Sequence, residues 1–160
     1  MGVYIKAVYV VFLLGFSFSL QAADAYITKQ SPYSVDETLN RLETVLKKKG
    51  ITVFARVDHK AGANKVGMDM QPTQLLIFGN PKMGTPLMNE SRLMGLDLPM
   101  KALAYKDDKS QVWLVYLNPT ELQQRHSIKN QKIINKVTVK RYSRSSGKIN
   151  RLFAAYVEME

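Results

Sequence analysis

A run of apolar residues that ends in a Gly-Asn-Pro turn constrains this sequence more than any other feature. The run from Thr73 to Phe78 is continuous enough to predict a strand buried on both faces, which places it centrally in a sheet. Gly79, Asn80 and Pro81 end that strand, because Gly and Asn accept positive φ and Pro cannot continue a central ladder. The chain is therefore expected to fold around a sheet, with a turn-rich segment leaving the end of a buried strand.

The best-defined helix is predicted between Val35 and Lys49. Ser34 can cap its first turn, and Glu37 follows three residues later, so the two can satisfy each other's unpaired backbone amides. Apolar residues recur at helical spacing, lysines fill the last turn, and Gly50 ends the helix. The pattern predicts an amphipathic helix packed on the sheet.

Further strands are predicted at 25–29 and 51–58, where β-branched and aromatic residues concentrate. A hairpin is predicted from 100–106 and 111–117, joined by the polar loop 107–110.

Two more helix starts are marked by proline. Asn118 can cap a helix whose first residue is Pro119. Within 84–94, Thr85 is the expected cap of a short helix with Pro86 at its first position. Residues 59–67 are read as a loop or one helical turn, 133–139 as a strand or helix, and 148–159 as a final helix.

Residues 1–22 predict a secretory signal peptide. A basic start is followed by the apolar run 7–18, which is shorter than the ~20 residues that span a bilayer. Small residues come next, so cleavage between 22 and 25 fits. With no cysteine, a lipoprotein anchor, disulfides and thiol chemistry are excluded. We expect an exported protein, periplasmic in a Gram-negative source and secreted otherwise.

The net charge of +10 is concentrated near the C-terminus. Between Glu121 and Glu158 there is no acidic residue, and the basic residues there are Arg125, Lys129, Lys132, Lys136, Lys140, Arg141, Arg144, Lys148 and Arg151. The sequence thus divides into a domain over 23–127 and a basic extension over 128–160. The extension is either a solvated face or a surface for an anionic membrane or envelope partner. Nucleic acid is not expected, since export and few aromatic residues argue against it.

The turn-rich segment carries the candidate ligand site. Its loop offers backbone amides, a carboxamide, a hydroxyl and an ammonium, which are the groups that hold an anion. The alternative is a structural turn in which Asn80 bonds its own backbone. The candidate ligand-binding residues are Gly79, Asn80, Pro81, Lys82, Gly84, Thr85, Asp97, Pro99 and His126.

Asp97 stands between two leucines, so if it is buried its carboxylate needs a partner, either His126 or His59. No nucleophile motif accompanies them, so no catalytic residue is assigned, enzymatic activity is not favoured and no cofactor is expected. The candidate metal ligands are His59, His126, Met68 and Met70, without a diagnostic spacing.

Several motifs in order resemble one bacterial family, labelled domain of unknown function 302. They are Asp58-His59, residues 76–82, residues 84–88, residues 95–99 and Arg125-His126. The resemblance implies an α+β domain of the TATA-box-binding-protein-like class, with a curved antiparallel β-sheet of about five to six strands packed with two or three helices. It also implies that a homodimer can form, and it implies no activity.

The sequence therefore predicts a small exported binding or accessory protein with a loop site around Gly79–Thr85 and Gly95–Pro99. Its partner would be a small ligand or a component of the envelope. One alternative is a structural or interaction protein that acts through its basic C-terminal surface. A less favoured alternative is a metal-binding or acid-base enzyme, which would need Asp97 and a histidine within hydrogen-bonding reach.

Overall fold

The structure is a computed structural model that describes residues 25–129. The predicted signal peptide and the predicted elements within 130–160 lie outside the described residues. In chain order the elements are β1 (Tyr26–Ser31), α1 (Val35–Lys48), β2 (Thr52–Asp58), α2 (His59–Lys65), β3 (Thr73–Gly79), α3 (Pro81–Glu90), a 3₁₀ helix (Arg92–Leu96), β4 (Met100–Lys106), β5 (Val112–Leu117) and α4 (Pro119–Arg125).

The five strands form one antiparallel sheet in the order β1-β5-β4-β3-β2. The sheet is open and curled, which confirms the α+β prediction. Four α-helices are present among residues 25–129, more than the two or three predicted, because residues 59–65 form a helix rather than a loop or single turn. Strand β3 is interior, as its apolar run predicted, but the middle position belongs to β4.

Local capping explains where two of the helices begin. The Ser34 side chain accepts from the Glu37 amide at the start of α1. The Asn118 carboxamide oxygen accepts from the Thr120 amide at the start of α4. Gly50 has a φ of +68° directly after α1, a conformation that glycine adopts without the penalty of a Cβ.

All of the main core lies on one face of the sheet. Helices α1, α3 and α4 and the 3₁₀ helix contribute buried side chains to it, including Leu39, Leu87, Met94 and Leu122. Every second residue of the strands meets them, as Leu76 does. Within residues 25–129 no helix is both long and apolar enough to cross a membrane.

The opposite face of the sheet is open in the described part of the chain. Its side chains include Leu75, Ile77, Leu103 and Val115, which are half-buried and lie outside the core cluster. Helix α2 has no buried residue, and the other described helices place their buried side chains in the core on the far face. Among residues 25–129, strand β3 is therefore fully covered on one face only, where the sequence predicted burial on both.

Candidate functional site

Helix α3 begins earlier than the sequence predicted. Asn80 caps it and Pro81 is its first residue, whereas the expected cap was Thr85. Pro86 lies inside the helix, where it has no amide to donate to the preceding turn. The prediction of this start was wrong because two Pro residues both suit a first helical position, and the Asn80 cap decides between them.

Backbone amides that follow the Gly79-Asn80-Pro81 turn already donate hydrogen bonds at the start of α3. The Asn80 carboxamide oxygen accepts from the Lys82 amide at 2.9 Å. The Asn80 backbone carbonyl accepts from the Met83 and Gly84 amides, both at 2.9 Å. Pro81 has no amide. These bonds occupy three of the backbone amides on which the anion interpretation depended, and they match the alternative in which Asn80 bonds its own backbone.

A cavity of about 220 Å³ lies between the start of α3, the end of β3 and the chain entering β4. Only two of its fourteen lining residues, Asn80 and Thr85, have polar side chains. The lining comprises Ile51, Phe54, Phe78, Gly79, Asn80, Pro81, Met83, Gly84, Thr85, Leu87, Met88, Leu98, Pro99 and Met100. We call this space the apolar cavity.

A β-bulge places one wall of the apolar cavity. The pairing of β2 with β3 shifts between Val53 and Ala55, so Phe54 is an extra residue in β2. Phe54 remains 52% exposed, although its ring lies beside the backbone of Gly79. A Cβ built on Gly79 would lie 3.5 Å from both the Phe54 ring and the Pro99 side chain.

Asp97 and His126 form a second site, separate from the apolar cavity. The His126 Nε2 atom lies 2.6 Å from Asp97 Oδ2, and Arg125 Nη1 donates to Asp97 Oδ1 at 3.0 Å. The His126 side chain is 6% exposed and that of Asp97 is 18% exposed. Of the two partners that the sequence offered for Asp97, the structure selects His126.

The environment of Asp97 favours its ionised form. Burial raises the pKa of its carboxyl, but the His126 hydrogen bond and the Arg125 guanidinium outweigh burial, so the pKa lies below its ordinary value. The ion pair joins the Gly95–Pro99 turn to the end of α4. It satisfies the distance requirement of the acid-base alternative, although no nucleophile is part of the cluster.

The nine candidate ligand-binding residues thus separate in space. Six of them line the apolar cavity: Gly79, Asn80, Pro81, Gly84, Thr85 and Pro99. Lys82 is exposed and is not part of the lining, and Asp97 and His126 belong to the ion-pair cluster. Phe54 and Met88 line the cavity and were not among the candidates. A bulge depends on strand pairing, so the sequence carried no signal for Phe54.

The candidate metal ligands do not come together as a metal site within residues 25–129. Over residues 25–129 no three His, Asp or Glu side chains come together. Met68 and Met70 are 65% and 37% exposed, in the segment between α2 and β3. His126 uses Nε2 for Asp97. Metal binding by these residues stays a prediction.

Another polar cluster joins α1 to the edge of the sheet. Arg56 Nε and Nη2 donate to Gln74 Oε1 at 2.8 and 2.6 Å, and Nη2 also pairs with Asp36 at 3.0 Å. Gln74 Nε2 donates to Asp36 and Asp58. Asp58 also caps α2. These groups satisfy one another, so the cluster is structural.

The fold and the site together define an α+β domain with one open sheet, a helical layer on one face and an apolar cavity at the end of an interior strand. The sequence matches the family described as Domain of unknown function DUF302 over residues 27–140. This chain belongs to that family, which confirms the resemblance. The match extends past the predicted domain boundary at 127.

A solved structure shares this fold. It is an uncharacterised conserved DUF302 protein from Bacillus stearothermophilus, with a TM-score of 0.64 and 25% identity. The alignment covers 72% of this chain and 91% of that one.

Similar curated proteins come from Brucella. The proteins called Fluoride-specific ion channel FluC 1 in Brucella suis biovar 1 and in Brucella abortus biovar 1 are each 42% identical to this chain over 138 residues. The match covers 78% of this chain and 54% or 51% of those proteins. The chain thus spans about half the length of these relatives.

Proposed function

We propose that this protein is an exported accessory domain that binds a small apolar molecule in the apolar cavity. One observation carries the proposal: twelve of the fourteen lining residues have no polar side-chain group that could meet a charged ligand. Small-molecule sites are typically concave and mostly apolar, with a few polar groups that orient the ligand.

The polar groups of the apolar cavity are few and partly engaged. Asn80 Oδ1 already accepts from the Lys82 amide, which leaves the carboxamide NH₂ of Asn80 and the hydroxyl of Thr85 to orient a ligand. One hydroxyl or carbonyl on an otherwise apolar molecule is the chemistry that these two groups fit.

Size and side-chain type narrow the ligand further. A cavity of 150 Å³ is enough for benzene, so about 220 Å³ suits a substituted ring, a small fused ring or a short alkyl chain. Met83, Met88 and Met100 are part of the lining, and unbranched thioether side chains adapt to ligands of different shape. We therefore expect affinity for p-cresol, indole and 1-hexanol.

Thermal unfolding of the purified protein tests the proposal, with p-cresol, indole and 1-hexanol as apolar probes and phosphate as an anionic probe. A ligand present at 100 times its Kd stabilises the native state by about 2.7 kcal/mol, which raises Tm measurably. We expect at least one apolar probe to raise Tm and phosphate to have no comparable effect.

A matched pair of glycine substitutions ties the result to the apolar cavity. Gly84→Leu projects a side chain toward Leu98 and Met88, because a Cβ there would lie 3.5 and 3.9 Å from their atoms. Gly62→Leu makes the same change in α2, where a Cβ meets nothing within 4 Å. Gly84→Leu should abolish the response and Gly62→Leu should keep it. Equal responses from both variants, or no response to any apolar probe, would refute the proposal.

Export is part of the proposal and rests on the sequence pattern of residues 1–22. Mass spectrometry of protein from the native host should show a mature N-terminus between residues 23 and 26.

Contact of the basic extension with anionic lipid can be measured by flotation with phosphatidylglycerol vesicles. Loss of binding on removal of 128–160 would support the alternative in which the protein acts through that surface.

A second candidate function is assistance to a fluoride-specific channel, which the 42% identity to the Brucella proteins favours. A host strain that lacks this chain should then grow less well in fluoride, and the full chain should restore growth. Unchanged fluoride tolerance would remove this candidate without affecting the ligand-binding proposal.

A further inference from the structure

The open face of the sheet carries a second cavity, whose lining shares only Met100 with that of the apolar cavity. Its volume is about 450 Å³, within the roughly 300–1,000 Å³ of small-molecule sites. Its floor includes Leu75, Leu103 and Val115 on three adjacent strands. The strand register places Leu75 opposite Leu103 and Leu103 opposite Val115, so the three form a continuous apolar row about 10 Å long.

Positive charge lies beside this row, because Lys101 comes two residues before Leu103 on β4. Lys101 and Arg125 line the same cavity, together with Asp97. Asp97 is paired with Arg125 and hydrogen-bonded to His126, and Arg125 also lies 3.8 Å from Glu121, whereas no acidic side chain among residues 25–129 lies within ion-pairing distance of Lys101. The Lys101 ammonium makes only a 3.4 Å contact to the Leu96 carbonyl.

We propose that the open face binds a medium-chain carboxylate. Its alkyl chain lies over Leu75, Leu103 and Val115, and its carboxylate faces Lys101. An apolar row beside a cation without an acidic partner complements a molecule that has an alkyl chain at one end and a negative charge at the other.

A second copy of the chain is a poorer occupant of this cavity. The cavity is a concavity on a curled sheet, and two identical concavities placed face to face would leave a void between them. A single alkyl chain can enter the concavity and fill it.

The only tryptophan of the chain reports on this face. Trp113 lies opposite Tyr105 in the row next to Leu103 and Val115, on the same side of the sheet. Titration with octanoate, decanoate and dodecanoate, each below its micellar concentration, should change Trp113 emission. Affinity should rise about fourfold for each added methylene group that is buried.

Two lysine substitutions test whether the charge of Lys101 contributes to binding. The control is a matched substitution of a lysine on the far side of the molecule. Lys101→Gln should weaken dodecanoate binding about fivefold and leave dodecanol binding unchanged. Lys48→Gln removes an equally exposed charge at the end of α1 and should leave both affinities unchanged. Leu103→Gln should weaken both ligands more than tenfold.

Four results would overturn the inference. The first is dodecyltrimethylammonium binding as tightly as dodecanoate. The second is dodecanoate binding that Gly84→Leu abolishes and Leu103→Gln does not, which would assign the ligand to the apolar cavity. The third is a dimer in sedimentation that Leu103→Gln dissociates, since the face would then serve a second copy. The fourth is Lys101→Gln and Lys48→Gln weakening dodecanoate equally. Lys101 is exposed, so its variant folds even if Leu103→Gln does not.

Discussion

Replacing Asp97 by asparagine should destabilise the protein by about 3 kcal/mol. The change leaves one oxygen where two accept now, and it turns an NH₂ group toward either Arg125, which has only donors, or His126 Nε2, which donates to the ionised carboxylate. The His126 contact contributes most, because its side chain is 6% exposed and a hydrogen bond to a charged group contributes about 1.5–3 kcal/mol. Arg125 is 43% exposed, so its pairing adds at most about 1 kcal/mol.

Urea unfolding at pH 7 measures this loss. For a domain of this size the slope of the unfolding free energy is about 1.5 kcal/mol per molar urea, so the midpoint should fall by about 2 M. Asp108→Asn is the matched control, since Asp108 is exposed in the β4–β5 loop and forms no hydrogen bond or ion pair with any residue between 25 and 129. Its midpoint should stay within about 0.3 M of the parent protein.

The pH dependence has a definite sign. The pKa of Asp97 is lower in the folded protein than its ordinary value of 3.8, so folding favours the ionised form. The stabilisation from this carboxylate is present above pH 3.8 and is lost as the pH falls through the lower folded pKa. The difference between the parent and Asp97→Asn should therefore narrow only below pH 3.8.

An Asp97→Asn protein whose midpoint equals that of Asp108→Asn at pH 7 would refute this reasoning. A difference that narrows above pH 5 would also contradict it, because a group other than Asp97 would then control the loss. Arg125→Gln separates the two partners, and it should lower stability by less than about 1 kcal/mol.

Three further predictions concern other parts of the fold. The Trp113 indole donates to Asp107 at 2.8 Å and, with backbone amides, lowers the pKa of the Asp107 carboxyl. Acid titration should therefore change Trp113 emission below pH 3.8, and Asp107→Asn should remove this change. Gly50→Ala should cost about 1 kcal/mol in thermal unfolding because φ is +68°, and Gly50→Asn should cost less; equal losses would contradict the backbone argument. Arg56→Ala should cost about 2 kcal/mol in urea, since the buried Gln74 loses its donors; a loss below 0.5 kcal/mol would show that Gln74 finds other partners.

Features decided within a few residues could be predicted from the sequence. The caps at Ser34 and Asn118 act over two or three residues, and the hairpin between β4 and β5 is closed by the five-residue loop 107–111. Amphipathic periodicity located α1 almost to the residue. The start of α3 was missed although its cap is equally local, because Pro86 competed with Pro81 for the first helical position.

The candidate site could be predicted only in part. Apart from Lys82, its loop residues from Gly79 to Thr85 line the apolar cavity. Asp97 belongs elsewhere, because its partner His126 is 29 residues away and the packing of α4 determines which groups it meets.

The sequence alone thus determined the helix caps, the hairpin and an interior strand, since each depends on neighbouring residues or on periodicity, and the family resemblance indicated the α+β class. The tertiary structure decided two things that periodicity cannot encode. Strand pairing introduced the bulge that sets Phe54 against Gly79 and encloses the apolar cavity. The layer of helices on one face left Leu75 and Leu103 open on the other. Contacts between residues distant in sequence made these choices, because strand register and helix placement depend on the whole sheet.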